Sequence, residues 1–172
     1  MNLNKLALIL TTSLFSSHLF ALESDYNQPI HISSMQQQAS LKTNKIVFTK
    51  DVLLTQGTIK LTADKLTVIR GEQPNHEVMI AEGNVATFYQ TQDDGKPFDA
   101  EAKNIVYDVA KGKVTLTTNA QVKQLDSQVN GSKIEYYLDS QELNVNSSQT
   151  ERVKTIFLPA QFEKDKTTSG KK

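Results

Sequence analysis

Ile59-Lys60-Leu61-Thr62-Ala63-Asp64-Lys65-Leu66-Thr67-Val68 decides the fold. Apolar residues fall at odd numbers through Ile59, Leu61 and Ala63, then at even numbers from Leu66 to Val68. Side chains of a strand repeat every two residues, so this change of phase moves the apolar set to the opposite face. The plan recurs in Phe98-x-Ala100-x-Ala102-x-x-Ile105-x-Tyr107 and Ser127-x-Val129-x-Gly131-x-x-Ile134-x-Tyr136, with a weaker copy from Ile30 through Ser34 to Ala39. A small residue stands before each switch, at 34, 63, 102 and 131, spaced by 29, 39 and 29 residues. That spacing lies in the range of stacked β repeats. It predicts strands that bend or bulge at a small residue and keep a core under both halves, with corners at Ala63, Ala102 and Gly131.

Around this stretch the β signals are dense. The pieces 45–49, 52–55 and 58–62 are separated by Lys50-Asp51 and Gln56-Gly57, which read as hairpin spacings between antiparallel strands. Ser33 to Ser40 is Gln-rich and reads as a helical turn or a bend. Strand pattern restarts at Val78-Met79-Ile80 and runs from Gly83 towards Asp94-Gly95, a strong hairpin signal. Further strands are expected at 114–117 and 119–125, and Val153-Lys154-Thr155-Ile156-Phe157-Leu158 closes the pattern before Pro159. No window sustains a 3.6-residue apolar period, so helices should be short and peripheral. Many short strands without helical crossovers mean an antiparallel sandwich, barrel or jelly roll. Strands that carry apolar residues round a corner suit two sheets joined at corners, as in orthogonal sandwiches, better than a closed barrel. Pro29 before the first strand and Pro159 after the last mark free edges that can pair with another chain.

Of the 172 residues, 38% are hydrophobic and 22% charged, with 19 basic against 19 acidic side chains and no Cys. One ordinary domain with a real core follows from these numbers. Charge balance gives no basic stripe, so a nucleic-acid partner is not expected. The absence of Cys rules out disulfides, thiolate metal sites and a lipobox. At the N-terminus, Asn4-Lys5 precedes Leu6-Ala7-Leu8-Ile9-Leu10, and apolar character continues to Leu19-Phe20-Ala21, the layout of a secretory signal peptide cleaved after Ala21. The run is interrupted by Thr and Ser and falls short of the ~20 apolar residues of a membrane span. Residues 22–162 then form the domain, and 163–172 are a charged, low-complexity tail expected to be disordered.

Chemistry-bearing constellations are absent. His31, between Ile30 and Ile32, should point away from their face, and His76 with Glu77 is too few ligands for a structural metal site. Asp93-Asp94 suits a turn better than a calcium loop or a glycosidase pair. No nucleophile elbow, phosphate loop or dinucleotide fingerprint occurs, so catalysis is not expected. What remains is an apolar interior that includes Phe48, Phe88, Tyr107 and Tyr136, either a filled core or, if the sheets splay, a trough for lipid chains. A secreted adhesin or carbohydrate-binding module is the alternative, and the lack of Trp argues against it.

Gln28-Pro29-Ile30-His31-Ile32, Thr55-Gln56-Gly57-Thr58-Ile59-Lys60 with Ala63-Asp64-Lys65, Ala86-Thr87-Phe88-Tyr89-Gln90 and Asp94-Gly95-Lys96-Pro97 together resemble the OstA-like family of periplasmic lipopolysaccharide transport proteins. The resemblance runs from about Asn27 to Phe162, with Gly83-Asn84-Val85 where Gly-Lys-Pro is expected of relatives. It implies a slightly twisted, V-shaped antiparallel β-jellyroll, open at both ends, whose copies stack head to tail. Lipopolysaccharide would travel with the acyl chains of lipid A in the apolar groove. The implied partners are an inner-membrane complex through its LptC component, the outer-membrane LptD translocon and further copies of the chain, with no cofactor. Ile30, Phe88, Tyr107 and Val109 match groove-lining positions. The strand at Ile30 and Ile32 is expected to pair with the last strand, through Val153, Ile156 and Leu158, of another copy.

Overall fold

The computed structural model describes residues 25–125, 127–148 and 152–157. The signal peptide and tail expectations, and Leu158, lie outside these residues. After a single helical turn at Asp25–Asn27, the described chain is all β: β1 (His31–Ser33), β2 (Gln36–Ser40), β3 (Lys45–Gln56), β4 (Ile59–Ile69), β5 (Val78–Thr91), β6 (Pro97–Asp108), β7 (Lys113–Gln124), β8 (Ser127–Tyr137), β9 (Glu142–Asn146) and β10 (Lys154–Ile156). They join in one antiparallel path, β1-β3-β4-β5-β6-β7-β8-β10, with β2 also on β3 and β9 also on β8.

The opening stretch is one strand, and its phase change is real. Ile59, Leu61 and Ala63 are buried on one side of Asp64-Lys65, and Leu66 and Val68 on the other. Every long neighbour breaks register at the same level. The pairing shifts between Thr49 and Val52, Thr62 and Lys65, Glu82 and Ala86, Glu101 and Asn104, and Thr117 and Ala120. Ala63 and Ala102 sit within these shifts, and Gly131 pairs with Ala120 at the end of the last one. Bulges aligned across successive strands bend the whole sheet along a line, which we call the hinge line. The edge strands break outright there. β1 stops before Ser34 and β2 resumes at Gln36, while β9 ends at Asn146 and β10 begins at Lys154.

Two arms result. The first holds β1, residues 52–56, 59–63, 86–91, 97–102, 120–124 and 127–131 of the long strands, and β10. The second holds β2, residues 45–49, 65–69, 78–82, 104–108, 113–117 and 133–137, and β9. Buried apolar residues from both arms form one cluster, so the arms close on a shared core. The ring of Phe98 in the first arm stacks on Tyr136 of the second, with centroids 4.0 Å apart and planes inclined by 15°. Tyr107 of β6 reaches Gln56 of β3, and Tyr136 of β8 reaches Gln90 of β5. Side chains of β6 thus meet β3, and those of β8 meet β5 and β6, so each strand faces different strands across the interior.

Three expectations change. Lys50-Asp51 is no hairpin but a bulge inside β3: both residues have positive φ (66° and 52°), and the ladder resumes at Val52. Thr118-Asn119 does the same within β7, with φ of 64° and 58°, so 114–117 and 119–125 belong to one strand. A polar pair in the left-handed region looks like a turn in sequence, and only the common register distinguishes a bulge. Residues 36–40 form a strand rather than a helical turn, because the second-arm edge of β3 offers backbone partners from Lys45 to Thr49.

Gly131 tests the corner. A Cβ there would lie 2.7 Å from Val145 Cγ1 and 2.9 Å from the Asn146 carbonyl oxygen, and the backbone at Asn146 cannot yield as a flexible side chain could. Gly131→Val should therefore destabilise the domain by about 1–3 kcal/mol, the usual range for overpacking. Urea unfolding followed by circular dichroism checks this, and a midpoint equal to that of the parent would remove the corner constraint.

Candidate lipid-binding interior and chain edges

The interior is built from the inward residues of each arm. Leu54, Ile59, Leu61, Leu66, Met79, Ala81, Ile105, Leu116 and Ile134 are essentially inaccessible, and each large side chain so buried contributes about 1.5–3 kcal/mol. Among the expected groove residues, Phe88, Tyr107 and Val109 are buried in this core, while Ile30 is partly buried and packs against it. Phe88 meets Phe98 edge-on at 6.3 Å, and Phe98 leads on to Tyr136. In this closed arrangement the first three lie inside a filled core, and Ile30 stands at its rim.

Polar side chains line the hairpin ends, opposite the hinge line. Gln56, Gln90 and Gln92 are buried, at 2%, 8% and 5% exposure. Tyr107 Oη donates to Gln56 Oε1 at 3.0 Å, Tyr136 Oη donates to Gln90 Oε1 at 3.1 Å, and Gln92 Nε2 donates to Tyr136 Oη at 3.2 Å. Gln124 Nε2 donates to Gln92 Oε1. The segment before β1 is tied to the same row: Asp25 accepts from the Thr58 amide (2.6 Å), the Thr58 hydroxyl (2.7 Å) and Gln90 Nε2 (3.0 Å), and the Gln28 carbonyl accepts from Gln56 Nε2 (3.1 Å). Buried polar groups must be paired to be tolerated, and these are. Sequence reasoning missed this seam because glutamine reads as surface. The one available signal was that Gln56 and Gln90 occupy inward positions of the alternation that buries Leu54 and Phe88.

Burial, followed by the charges of Asp25 and Asp139, pushes the Tyr107 phenol well above its ordinary value. Burial likewise raises Tyr136, against an opposing hydrogen bond from Gln92. A folded-state pKa above the unfolded one means the contribution is complete below about pH 10 and is lost as pH rises beyond it. Thermal stability should thus fall above pH 10, by up to about 1.4 kcal/mol per pH unit for each such tyrosine. Tyr107→Phe should flatten that decline in melts recorded from pH 9 to 12; an unchanged slope would remove Tyr107 as its source.

At the C-terminal edge the interior opens. Val122, Val129, Leu143 and Phe157, with Leu125 and Ser127, line a cleft of about 370 Å³. Val129 pairs with Val122 on the inward row of the first arm, and Leu143 enters from the second. Phe157 is 56% exposed, and it stands between Ile156 and Leu158, the positions expected from sequence, on the opposite face of the strand from Ile156. Ile156 pairs with Gln128, on the outer row with Lys123, and is also exposed, as is Val153. At the other edge Ile32 pairs with Leu54 and faces inward, whereas His31 is exposed. His76 lies in the loop after β4, and among the described residues no three His, Asp or Glu side chains gather as metal ligands.

A bent antiparallel sheet folded on an apolar interior, with a free strand edge at each end of the sheet and an apolar mouth, defines an open-ended β-jellyroll of the kind suited to carry acyl chains. The family profile described as "LptA/(LptD N-terminal domain) LPS transport protein" matches residues 31–142, and the chain belongs to this family. It is 42% identical to the lipopolysaccharide export system protein LptA of Escherichia coli K12, over 97% of this chain and 92% of that protein. It is 39% identical to LptA of Haemophilus influenzae, over 95% and 96% of the two chains, and 34% identical to LptH of Pseudomonas aeruginosa, over 85% and 84%. The crystal structure of P. aeruginosa LptH, described as the LptA homologous periplasmic component of the lipopolysaccharide transport device, superposes with a TM-score of 0.73. It is 26% identical, with 80% of this chain and all of that chain covered.

Proposed function

We propose that this chain carries lipopolysaccharide across the periplasm, its acyl chains held in the apolar interior and copies joined edge to edge into a bridge. The observation that carries this reading is the continuity of that interior. Inward rows run from Ile30 and Ile32 at one free edge to Val129, Leu143 and Phe157 at the other. Each buried methylene of an acyl chain contributes about 0.8 kcal/mol, so a multi-chain lipid gains far more from such a trough than a single-chain one. Removal of residues 1–21 delivers the domain to the periplasm. Its partners there are the LptC component of the inner-membrane complex and the LptD translocon, each engaged by adding a strand to β1 or β10.

Native mass spectrometry of the chain from residue 22, with and without lipopolysaccharide, reports lipid binding and multimers together. Discrete lipopolysaccharide adducts are expected, weakened about tenfold by Phe157→Asp with the β circular dichroism retained. No adduct at any ratio would overturn the reading.

A further inference from the structure

The glutamine–tyrosine seam has a function the transport reading does not supply, although it rests on that reading. Leu or Phe at the same places would close the hairpin ends with apolar packing, which offers the polar linkages of a lipid no partner. Hydrogen bonds differ, because a ligand bearing amide, ester and hydroxyl groups can take over each donor and acceptor in turn. A polar seam is therefore one that a suitable ligand can part.

Its position serves the same end. The seam lies at the hairpin ends of both arms, at Gln56, Gln90 and Gln92 of the first and Tyr107 and Tyr136 of the second. The hinge line runs along the other end of every arm, so a small rotation there gives the largest separation here. The hinge line is itself loosely satisfied. Register is lost in each pair of long strands, Lys50-Asp51 and Thr118-Asn119 hold positive φ, and Asn104 Oδ1, within the β6–β7 shift, is buried without a hydrogen-bond partner.

We propose that this seam is a lateral gate, and that its carboxamides and phenols bind the amide, ester and hydroxyl groups where acyl chains join a polar headgroup. With the arms parted, the tails lie against Phe88 and Phe98, while Gln56, Gln90, Gln92, Tyr107 and Tyr136 meet the linkages at the rim. Asp25 accepts from Thr58 and Gln90 within the first arm and so fixes the Gln90 carboxamide that meets Tyr136, which ties the gate to the segment leading into the free edge strand β1. A copy that draws on β1 would pull that segment and ease the gate.

The test uses the double variant Tyr107→Phe/Tyr136→Phe, which keeps both rings and the Phe98 stack but removes both hydroxyls. Stopped-flow capture of hexa-acylated lipid A from mixed micelles is compared with capture of an apolar dye, 1-N-phenylnaphthylamine. Ile105→Val, a core change near the hinge line, controls for general loosening. The variant should capture both probes at least tenfold faster, and should release lipid A faster while releasing the dye at the parental rate. Asp25→Asn should accelerate capture of both without altering release. Parental capture rates in the double variant, or equal acceleration in Ile105→Val, would overturn the gate while parental lipid A binding leaves transport standing. A parental chain that captures no lipid A would overturn both.

Discussion

Phe88→Asp should unfold the domain. Phe88 is 1% exposed, between Leu61 on β4 and Ala100 on β6, with Phe98 edge-on to its ring. Removing the ring costs about 3–5 kcal/mol, as for other buried Phe truncations. The aspartate carboxylate would then stand among apolar side chains, where an unpaired charge costs several kcal/mol more even after relaxation. Together these are comparable to the whole stability of a domain, roughly 5–15 kcal/mol. Far-UV circular dichroism should show loss of the β spectrum at 25 °C and no cooperative melt. Ile30→Asp, at the half-buried rim, should keep both, which makes it the variant for reading lipid binding. A folded Phe88→Asp would mean that water already reaches the interior, so that the arms stand open in solution.

The contrast between these two positions shows which parts of the structure were legible in the sequence. Phase changes at Ala63 and Ala102 could be read because an apolar residue leaves the core at a cost, so the pattern must shift wherever the strand bends. Nothing comparable marks β2. Gln36 to Ser40 are all exposed, and that strand is held by the backbone of β3 rather than by any apolar stripe. Lys50-Asp51 and the break at Thr118 read as interruptions because bulges and turns favour the same polar residues in the left-handed region. Within the interior, the aromatic letters announced burial, but whether they line a trough or fill a core depends on how far the arms close. Where the arms meet, the glutamine–tyrosine bonds join the apolar contacts, and their members look like surface residues until the cross-arm pairing of Tyr107 with Gln56 and Tyr136 with Gln90 brings them inside. Phe157 lies within the expected strand Val153–Leu158, but its neighbours Ile156 and Leu158 are apolar too, so no alternation tells which of them faces the mouth.

Ending the chain before Val153 should leave it monomeric. The deletion removes β10, which pairs only with β8 through Lys154–Asn130, Thr155–Val129 and Ile156–Gln128, and takes Phe157 from the mouth. The long strands that bury the core remain, so the domain should fold and melt cooperatively. What it loses is the first-arm edge that another copy's β1 would extend, in the manner of strand addition. The first arm carries β1 at one end of the sheet path and β10 at the other, so antiparallel addition of β1 to β10 continues an arm instead of capping it. It also sets Ile30 and Ile32 of one copy against the inward row of Val129 and Phe157 in the next. The second arm has its own edges, β2 and β9, but β2 is wholly exposed, with Ala39 its one apolar residue, and supplies few apolar contacts. Loss of the first-arm contact should raise the dissociation constant of the multimer at least tenfold, equivalent to about 1.4 kcal/mol or more. Size exclusion with light scattering over a concentration series measures this. Multimers that persist undiminished in the shortened chain would place the junction on the β2 and β9 edges instead, and the apolar rows of successive copies would then meet in the second arm.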